Sequence, residues 1–332
     1  MSFPKNKPPH SVKVLHNWIA TYAKETGQVP ERIMRSVSYM IASLALERAR
    51  DESGGPLFLI KGGVMIEMRL GLRARATRDL DAVFRAEFRS WLDQLDGAIR
   101  RPVGDFTLTR TEPEQIKRTN TKRLQLIIDY RGKRWAQIPL EVAPAEVPDV
   151  LEIEHVGPLH IAQLGLPEPA SVAVVGPGYQ IAQKLHACTE RFKTGPENDR
   201  FRDLMDLLLL RDVLTDTDLP RVREACVRIF EARKKHSWPP TVTVYESWRA
   251  SYREMALDRQ HQIGRALVSR GPDKWGVVTR TDGGVSVGRN GEWRFFAPVS
   301  LPRAIQMLTT LADRPLRARP VRCRLDGAHG RT

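Results

Sequence analysis

Two aspartates separated by one residue are the strongest candidates for chemistry in this chain. They belong to the run Thr77-Arg78-Asp79-Leu80-Asp81, which is predicted to be part of a strand. Alternate residues of a strand share a face, so Thr77, Asp79 and Asp81 are expected to project together. Adjacent carboxylates repel each other unless a cation lies between them or water screens them, and their hard oxygen atoms suit Mg²⁺. The alternative interpretation is an exposed strand end that carries two solvated aspartates.

A glycine pair lies at a predicted strand-to-helix turn upstream of the aspartates. Residues 57–60 form a short apolar strand that ends at Lys61-Gly62-Gly63, and a helix is predicted from Val64. Glycines allow the backbone to approach a ligand closely, and the free N–H groups at the start of a helix favour phosphate. Lys61, Gly62 and Gly63 are therefore candidates for phosphate binding. The alternatives are an ordinary turn for the glycine pair and a solvated side chain for Lys61.

A third acid is predicted on a neighbouring strand. Glu141 lies between Leu140 and Val142 in an apolar strand, and its side chain points away from the face that those two residues share. A carboxylate in the middle of such a strand is unusual and needs a reason. We expect Glu141 on the same face as the aspartates, as a third metal ligand. Asp129 is the alternative ligand, and a charge on an edge strand would explain Glu141 without a metal.

Charged residues of a predicted helical region give a second set of candidates. Lys184 lies within an apolar helical stripe, so its ammonium group either reaches outwards to solvent or points into a cleft. Asp203 and Asp206 are three residues apart and share one face of a later helix, and Arg202 is placed to pair with Asp206. A surface salt bridge on an amphipathic helix is the alternative interpretation for Arg202 and both aspartates.

The elements that must position these residues predict an α/β protein of the α+β type. Two helices are predicted over residues 12–50, with a break where a glycine ends one helix and a proline opens the next. From residue 57 the order strand, helix, strand, helix and further strands predicts a small mixed β-sheet with helices on one side. The predicted parts are N-terminal helices (1–56), an α/β core (57–176), a helical bundle (177–260), an addition with a β-hairpin (261–313) and a basic disordered tail (314–332).

The composition of the 332-residue chain favours a polyanionic partner. Its formal net charge is +14, and such a positive field attracts nucleic acids, although a generally basic surface is the alternative. The basic runs expected to line a groove for RNA include Arg100-Arg101, Lys133-Arg134 and Arg233-Lys234-Lys235. The three cysteines show no paired spacing, which excludes a disulfide scaffold and a cysteine zinc site. No apolar run suits a signal peptide or a membrane span, so a cytoplasmic protein without membrane contact is expected.

The order of the motifs resembles one known family. Lys-Gly-Gly after a strand, Thr-Arg-Asp-Leu-Asp, Gln-Lys-Leu-His-Ala and Phe-Arg-Asp-Leu-Met-Asp follow one another as in the AbiEii/AbiGii toxin family of nucleotidyltransferases, which includes the MenT-type toxins. The resemblance covers about residues 35–214 and implies a nucleotidyltransferase core of the DNA polymerase β-like superfamily. It also implies a toxin of a bacterial or phage-defence toxin–antitoxin pair, which adds nucleotides to the 3′ end of tRNA and so blocks aminoacylation.

The resemblance implies a role for each position that matches a family motif. Asp79 and Asp81 match the metal-binding aspartates, and Gly62 and Gly63 match the turn beside the phosphates. Lys184 matches the lysine that holds the triphosphate, and Asp206 matches the essential acid of the later helix. Thr77 matches a position usually held by serine beside the metals and phosphates. Two features depart from the pattern. Val64 stands where the superfamily commonly has Ser or Thr, which removes one hydroxyl contact to the triphosphate. Residues 275–296 and the arginine-rich tail have no counterpart.

These implications combine into a hypothesis of Mg²⁺-dependent nucleotidyl transfer from an NTP to tRNA or another RNA. One of two Mg²⁺ ions would be held by Asp79, Asp81 and Glu141, and the other by the two aspartates alone. Lys184 and Arg78 would neutralise the charge that develops on the phosphates. A cognate antitoxin is an expected protein partner.

Three other possibilities stay open from the sequence. In the first, the acceptor is a hydroxyl group of a protein or a small molecule, although such an enzyme has no need of the large positive charge. In the second, the chain is a catalytically inactive module that binds RNA or a partner. In the third, Thr77 accepts a phosphate from a partner or from the bound NTP, and the added negative charge beside the metal ligands switches the enzyme off.

Overall fold

The computed structural model describes residues 3–251 with short gaps, together with the backbone of three later strands. The gaps are at residues 72, 73, 118, 160, 193–196, 212, 216, 217, 242, 244, 249 and 250, and the later strands span residues 275–279, 285–289 and 292–296. The predicted basic tail (314–332) lies outside the described residues, as does the centre of the predicted hairpin at residues 282–284.

The described residues form α-helices and two β-sheets. The helices are α1 (Val12–Thr26), α2 (Pro30–Leu46), α3 (Gly62–Leu70), α4 (Trp91–Ile99), α5 (Pro177–Thr189), α6 (Phe201–Arg211) and α7 (Leu219–Arg233). The strands of the larger sheet are β1 (Phe58–Lys61), β2 (Leu80–Phe84), β3 (Phe106–Arg110), β4 (Glu114–Gln115), β5 (Lys122–Tyr130), β6 (Lys133–Pro144), β7 (Ile153–Val156) and β8 (Val172–Val175). None of these helices is both long and apolar enough to cross a membrane.

The larger sheet is mixed, which confirms the predicted fold class. Its strands lie in the order β3-β5-β6-β2-β1-β8-β7, with β4 beside β5. The pairs β2–β6 and β1–β8 are parallel and the other pairs are antiparallel. Strand β2 begins at Leu80, three residues later than predicted, and β7 was not predicted at all. The order of strands places β1, β2 and β6 side by side, and these strands carry the acids and the glycine turn.

The predicted break between the first two helices is confirmed. Gly27 has a φ of 63°, and its N–H bonds to the carbonyl of Ala23, so this glycine ends α1 in the left-handed conformation. Pro30 then occupies the first turn of α2, where a missing N–H costs nothing. Helix α2 is buried along most of its length, and it packs against α4 and β6 on the side of the sheet away from the acids.

Helix α2 also fixes the segment that leads to the aspartates. Arg32 and Glu67 form an ion pair at 2.7 Å between two side chains that are almost completely buried. Arg32 Nη2 donates a second hydrogen bond to the carbonyl of Ala74 at 3.2 Å. The hydroxyl of Tyr39 donates to the carbonyl of Thr77 at 3.1 Å. Because these donors come from one helix, the backbone just before β2 is held at two points.

The hairpin of β5 and β6 sets which side chains stand beside Glu141. Arg131 and Gly132 both have positive φ values, 49° and 73°, as the tight turn of a two-residue hairpin requires. The run Arg131-Gly132-Lys133 between two apolar segments predicts a hairpin turn from the sequence alone, and the structure confirms it. Beyond the turn the register shifts by one residue between Ile128 and Asp129, and this irregularity places Arg123 directly opposite Glu141, on the face of the hairpin that lacks the buried leucines and isoleucines.

The segment beyond residue 274 forms strands, as expected, but three of them. Strands β9 (Trp275–Thr279), β10 (Val285–Arg289) and β11 (Glu292–Phe296) pair in that order as an antiparallel sheet. The predicted hairpin therefore corresponds to a three-stranded meander.

Candidate active site

Four charged residues stand in one row across four neighbouring strands. Lys61 of β1 lies opposite Asp81 of β2, Asp81 lies opposite Glu141 of β6, and Glu141 lies opposite Arg123 of β5. Residues that face each other in a sheet project from the same side. The row therefore presents two acids flanked by two bases on one face of the sheet, which confirms the predicted common face of Asp81 and Glu141.

Asp79 places a third carboxylate near this row. It lies immediately before β2 and two residues before Asp81. Burial raises the pKa of Asp81 to about 6, and the charges of Glu141 and Asp79 add to this rise, while Lys61 opposes it. Burial also raises the pKa of Asp79, and the charge of Glu141 raises it further. The three carboxylates are thus close enough to repel one another, which is the electrostatic condition that a bound cation relieves.

The glycine pair lies against the aspartate strand. Gly62 has a φ of 67°, and a Cβ atom at this position would lie 2.1 Å from Oδ2 of Asp81. A Cβ atom on Gly63 would lie 2.6 Å from the Cβ atom of Thr77. Thr77 itself is 5% exposed, and its hydroxyl donates to the carbonyl of Asp79 at 3.3 Å. Both glycines are therefore required by the close approach of the turn to β2, and this approach brings the N-terminus of α3 next to the Asp81 carboxylate.

A buried ionic network joins the helical bundle to the aspartate strand. Lys184 of α5 donates from Nζ to Oδ1 of Asp203 at 2.6 Å and to Oδ2 of Asp206 at 2.8 Å. Arg75, just before β2, binds the same Asp206 through two hydrogen bonds of 2.9 and 2.8 Å. Although burial alone would raise the pKa of the fully buried Asp206, Lys184 and Arg75 together hold it below its usual range. Asp206 is thus the central acceptor for two cations from different elements.

The network also places Lys184 near the acids. Burial would lower the pKa of Lys184, but Asp206 and Asp203 raise it overall, so the ammonium group stays charged. That charge in turn opposes the rise in the pKa of Asp81. One turn earlier on α5, Gln180 donates from Nε2 to the carbonyl of Gly62 at 3.0 Å. Helix α5 therefore contacts both the glycine turn and the carboxylate side of the sheet.

Some sequence-based expectations need correction. Asp206 pairs with Arg75 and Lys184 rather than with Arg202, whose guanidinium lies 5.3 Å from the ring of Phe201 at the exposed side of α6. The physical reason is that α6 turns Asp206 towards α5 and the core, whereas Arg202 is exposed.

The alternative metal ligand lies away from the acids. Asp129 is six residues from Arg123 along β5, which is about 20 Å for an extended strand, and it pairs with Arg134 at 2.8 Å. Arg78, proposed as a phosphate contact, is exposed beside the aspartates. Of the predicted residues, the structure brings together Lys61, Gly62, Gly63, Asp79, Asp81 and Glu141, with Thr77 beneath them and Lys184 and Asp206 alongside.

Arg75 and Gln180 were missed from the sequence, and Arg123 was expected only as part of the basic run Lys122-Arg123 for RNA. Arg123, Arg75 and Gln180 reach the site through strand register and tertiary packing. Only Gln180 leaves a trace in the sequence, because it precedes Lys184 by four residues and so shares its helix face. Arg75 lies in a loop and Arg123 on an exposed strand, where an arginine is ordinarily a solvated residue.

The carboxylate oxygens of the site suit Mg²⁺, but their side chains are not arranged as a set of three metal ligands. Asp79, Asp81 and Glu141 offer the hard oxygen atoms that this ion prefers. Among the residues that the structure describes, however, no three His, Cys, Asp or Glu side chains converge closely enough to hold a metal as they stand. Glu141 is hydrogen-bonded to Arg123 instead. The two aspartates therefore fit the ion, whereas Oε1 of Glu141 already accepts both hydrogen bonds from Arg123.

Comparison with known proteins assigns the chain to a family. Residues 44–270, more than half of the chain, match the family model described as nucleotidyl transferase AbiEii toxin of type IV toxin–antitoxin systems. The chain belongs to the AbiEii nucleotidyltransferase toxin family. The AbiEii match spans α3, β2, α5 and α6, and so includes the glycine turn, the aspartates and the buried network. The protein is thus a nucleotidyltransferase of a toxin family, with an NTP as its substrate.

A solved structure supports the fold. The chain is similar to MenT4, a nucleotidyltransferase toxin from Mycobacterium tuberculosis H37Rv, with a TM-score of 0.52 over 93% of this chain and 91% of that one. The two sequences are 16% identical, so the likeness concerns the fold alone. No curated protein matches the sequence.

Replacement of Gly62 by alanine should impair catalysis more than folding. Alanine in the left-handed conformation costs about 1–2 kcal/mol, and its Cβ atom would displace the carboxylate of Asp81. We expect the rate of pyrophosphate release from NTP with total RNA as acceptor to fall on the order of a hundredfold, because small displacements of catalytic groups have effects of that size. Gly97→Ala is the control, since nothing lies within 4 Å of a Cβ atom there, and it should stabilise α4 by about 0.5–1 kcal/mol at unchanged rate. Equal rates in wild type and Gly62→Ala would contradict the packing argument.

The Asp206→Asn substitution should destabilise the protein in a pH-dependent manner. Loss of the shared anion leaves Lys184 and Arg75 partly uncompensated, at a cost of about 3 kcal/mol in the free energy of unfolding. Because the pKa of Asp206 is depressed in the folded state, its contribution is complete above an unfolded pKa of about 4 and disappears as the pH falls through the lower folded value. Urea unfolding between pH 7 and pH 3 measures the difference between the two proteins.

That difference should stay constant from pH 7 to about pH 5 and should shrink towards pH 3. Asp149→Asn is the control, because Asp149 forms an exposed pair with Arg228 and should contribute less than about 1 kcal/mol at any pH. The proposed role of the network would be excluded if wild type and Asp206→Asn had equal free energies of unfolding at pH 7. It would also be excluded if the difference between them grew on acidification.

Proposed function

We propose that the protein transfers a nucleoside monophosphate from an NTP to the 3′ end of an RNA, with tRNA as the foremost acceptor, and that this reaction depends on Mg²⁺. The observation that carries the proposal is the pair of carboxylates Asp81 and Glu141 on one face of the sheet, with Asp79 immediately before β2 and Asp81 in direct apposition to Gly62. Acids that repel one another next to the start of a helix suit a site for a metal-bound triphosphate.

The proposed reaction requires little covalent chemistry from the protein itself. The 3′ hydroxyl of the acceptor attacks the α-phosphorus of the NTP, a new P–O bond forms, and the bond to the β-phosphate oxygen breaks to release pyrophosphate. The hydroxyl proton passes to water. Bound Mg²⁺ would supply a lower pKa for the attacking hydroxyl and would neutralise the leaving pyrophosphate. Positioning and electrostatics should therefore account for the rate.

Each part of the site has a task in this scheme. Asp79 and Asp81 would hold the metal ions, and Glu141 would complete one of the two sets of ligands. The N–H groups of the turn at Gly62 and Gly63 would donate to the phosphates, as free donors at a helix start do. The face that Asp81 and Glu141 share and the absence of a side chain on the turn support these roles.

Lys184 would place a fixed positive charge near the phosphates. Its ammonium group is held by Asp203 and Asp206, so it does not swing freely, and its charge nevertheless reaches Asp81. A lysine fixed in this way contributes positive potential without the loss of side-chain entropy on substrate binding. Lys61, whose pKa is lowered by burial, offers a second cation on the other side of Asp81.

The charge of the chain supports a nucleic-acid acceptor. Arg100, Arg101 and Lys133 are exposed on the described surface, and the net charge of the chain is +14. Arg233 is not available for RNA in the same way, because it binds Glu146 through Nε at 2.8 Å and is only one-quarter exposed. A protein that binds RNA through such exposed cations loses affinity steeply with rising salt.

The family also supports a protein partner. AbiEii proteins are the toxins of type IV toxin–antitoxin systems, so we propose that a cognate antitoxin limits the activity of this chain in the cell. Transfer of nucleotides to the 3′ end of tRNA would block aminoacylation, which accounts for toxicity without any further activity.

The test is labelling of an acceptor with each α-labelled NTP in turn. Purified protein is incubated with total tRNA and Mg²⁺, beside Asp81→Asn and the control Asp129→Asn, whose carboxylate pairs with Arg134 away from the site. Wild type and Asp129→Asn should label tRNA, and Asp81→Asn should be at least a hundredfold slower, as expected when one ligand of a catalytic metal is lost.

Two results would overturn the proposal. Label on a protein instead of RNA would show that the acceptor is wrong, and full activity of Asp81→Asn would show that the site is wrong. Chelation of divalent cations provides the complementary control, since activity that persists without them excludes the metal-dependent reaction.

A further inference from the structure

The ion pair between Arg123 and Glu141 is the feature of the site that nucleotidyl transfer does not explain. Arg123 donates to Oε1 of Glu141 from Nε at 2.9 Å, and its Nη2 donates to the same oxygen. Both bonds thus converge on one oxygen of the carboxylate. The Arg123 side chain is 49% exposed, whereas that of Glu141 is 18% exposed. A half-exposed guanidinium therefore lies over one oxygen of a carboxylate that faces the other acids.

Arg123 acts on more than its direct partner. Its positive charge opposes the rise in the pKa of Asp79 that burial and Glu141 cause. The guanidinium is thus close enough to compensate part of the negative charge of the whole group. A divalent cation between the same carboxylates would perform the same compensation with twice the charge. Arg123 and such a cation therefore compete for the same electrostatic position.

The competition has a structural consequence. With Glu141 bonded to Arg123, the described residues contain no assembled set of three acidic or histidine ligands. A metal bound by Glu141 would repel the guanidinium, and a half-exposed arginine can move into solvent at little cost because exposed ion pairs contribute little to stability. Glu141 thus has two states, one bonded to arginine and one available to a metal.

We propose that Arg123 is a displaceable counter-ion that holds Glu141 away from the metal site until a divalent cation replaces it. This inference rests on the metal site proposed above and assigns to it a positioning residue that acts through Glu141. Displacement frees a guanidinium on the same sheet face, beside the carboxylates and outside the core. A planar guanidinium is well matched to phosphate oxygens, so metal loading exposes a cation for the backbone of the RNA acceptor.

Mn²⁺ binding to the full chain, without nucleotide or RNA, tests the proposal. The free ion is measured by electron paramagnetic resonance, so the readout does not depend on activity. Arg123→Gln removes the competitor, and Mn²⁺ should bind about two- to fivefold more tightly, which is the range expected for an exposed ion pair. Glu141→Gln should weaken binding, and in that background Arg123→Gln should bring no further gain.

Matched variants distinguish the loss of this ion pair from a general change in charge. Arg134→Gln also removes a paired arginine from this sheet, but its partner is Asp129, so Mn²⁺ affinity should not change. General loss of positive charge near the acids would tighten Mn²⁺ binding equally with and without Glu141, whereas the proposal requires the gain only when Glu141 is present. Thermal melting verifies that each variant is folded.

The outcomes separate this inference from the proposed function. If Asp81→Asn abolishes Mn²⁺ binding and Arg123→Gln leaves it unchanged or weaker, the metal site stands and the role of Arg123 is wrong. An equal gain from Arg123→Gln in the Glu141→Gln background also overturns that role. If Mn²⁺ binding is unaffected by Asp81→Asn, both the proposed metal site and the proposed role of Arg123 are wrong.

Discussion

The carboxylate of Asp81 occupies the space that a side chain at position 62 would fill, and much of the site depends on this contact. A Cβ atom on Gly62 would lie 2.1 Å from Oδ2 of Asp81, and one on Gly63 would collide with Thr77. The turn between β1 and α3 can therefore press against the start of β2 only because both residues are glycine. This close approach places the N-terminus of α3, with its free N–H groups, beside an acid that would otherwise repel an anionic ligand. Cations between the acid and the phosphates would remove the repulsion that this arrangement otherwise creates.

The distribution of counter-ions shows how the protein keeps its acids available. Asp206, deep between α5 and α6, is neutralised by Lys184 and by Arg75, and this network connects the helical bundle to the loop before β2. Glu141 is paired with the half-exposed Arg123. The first arrangement is buried and permanent, because its separation would leave charges without partners in the core. The second lies at the surface, where a partner can be exchanged. The cations with a structural role, Lys184 and Arg75, thus pair with a buried acid, whereas the exchangeable Arg123 is half-exposed.

The sequence was sufficient for the parts of the site that depend on local periodicity. The two-residue period of a strand placed Asp81 on the face that it shares with Glu141, although Asp79 proved to lie just before the strand. The break at Gly27 and the hairpin turn at Arg131 followed from their turn and capping residues. It was insufficient where the answer depends on pairing between distant segments. Arg123 stands opposite Glu141 because of the register of β5 and β6, and Arg75 reaches Asp206 across 131 positions of the chain. The predicted partner of Asp206, Arg202, was wrong because helix spacing alone does not show which face of α6 is buried.

The most direct test of this account is a crystal structure of the protein with Mn²⁺ and a non-hydrolysable NTP, in which anomalous scattering locates the metal. We expect an anomalous peak between Asp79 and Asp81, within coordination distance of their carboxylate oxygens, with the phosphates beside the turn at Gly62 and with Glu141 released from Arg123. A nucleotide bound with its metal elsewhere, or a complex in which neither aspartate contacts a metal, would contradict it.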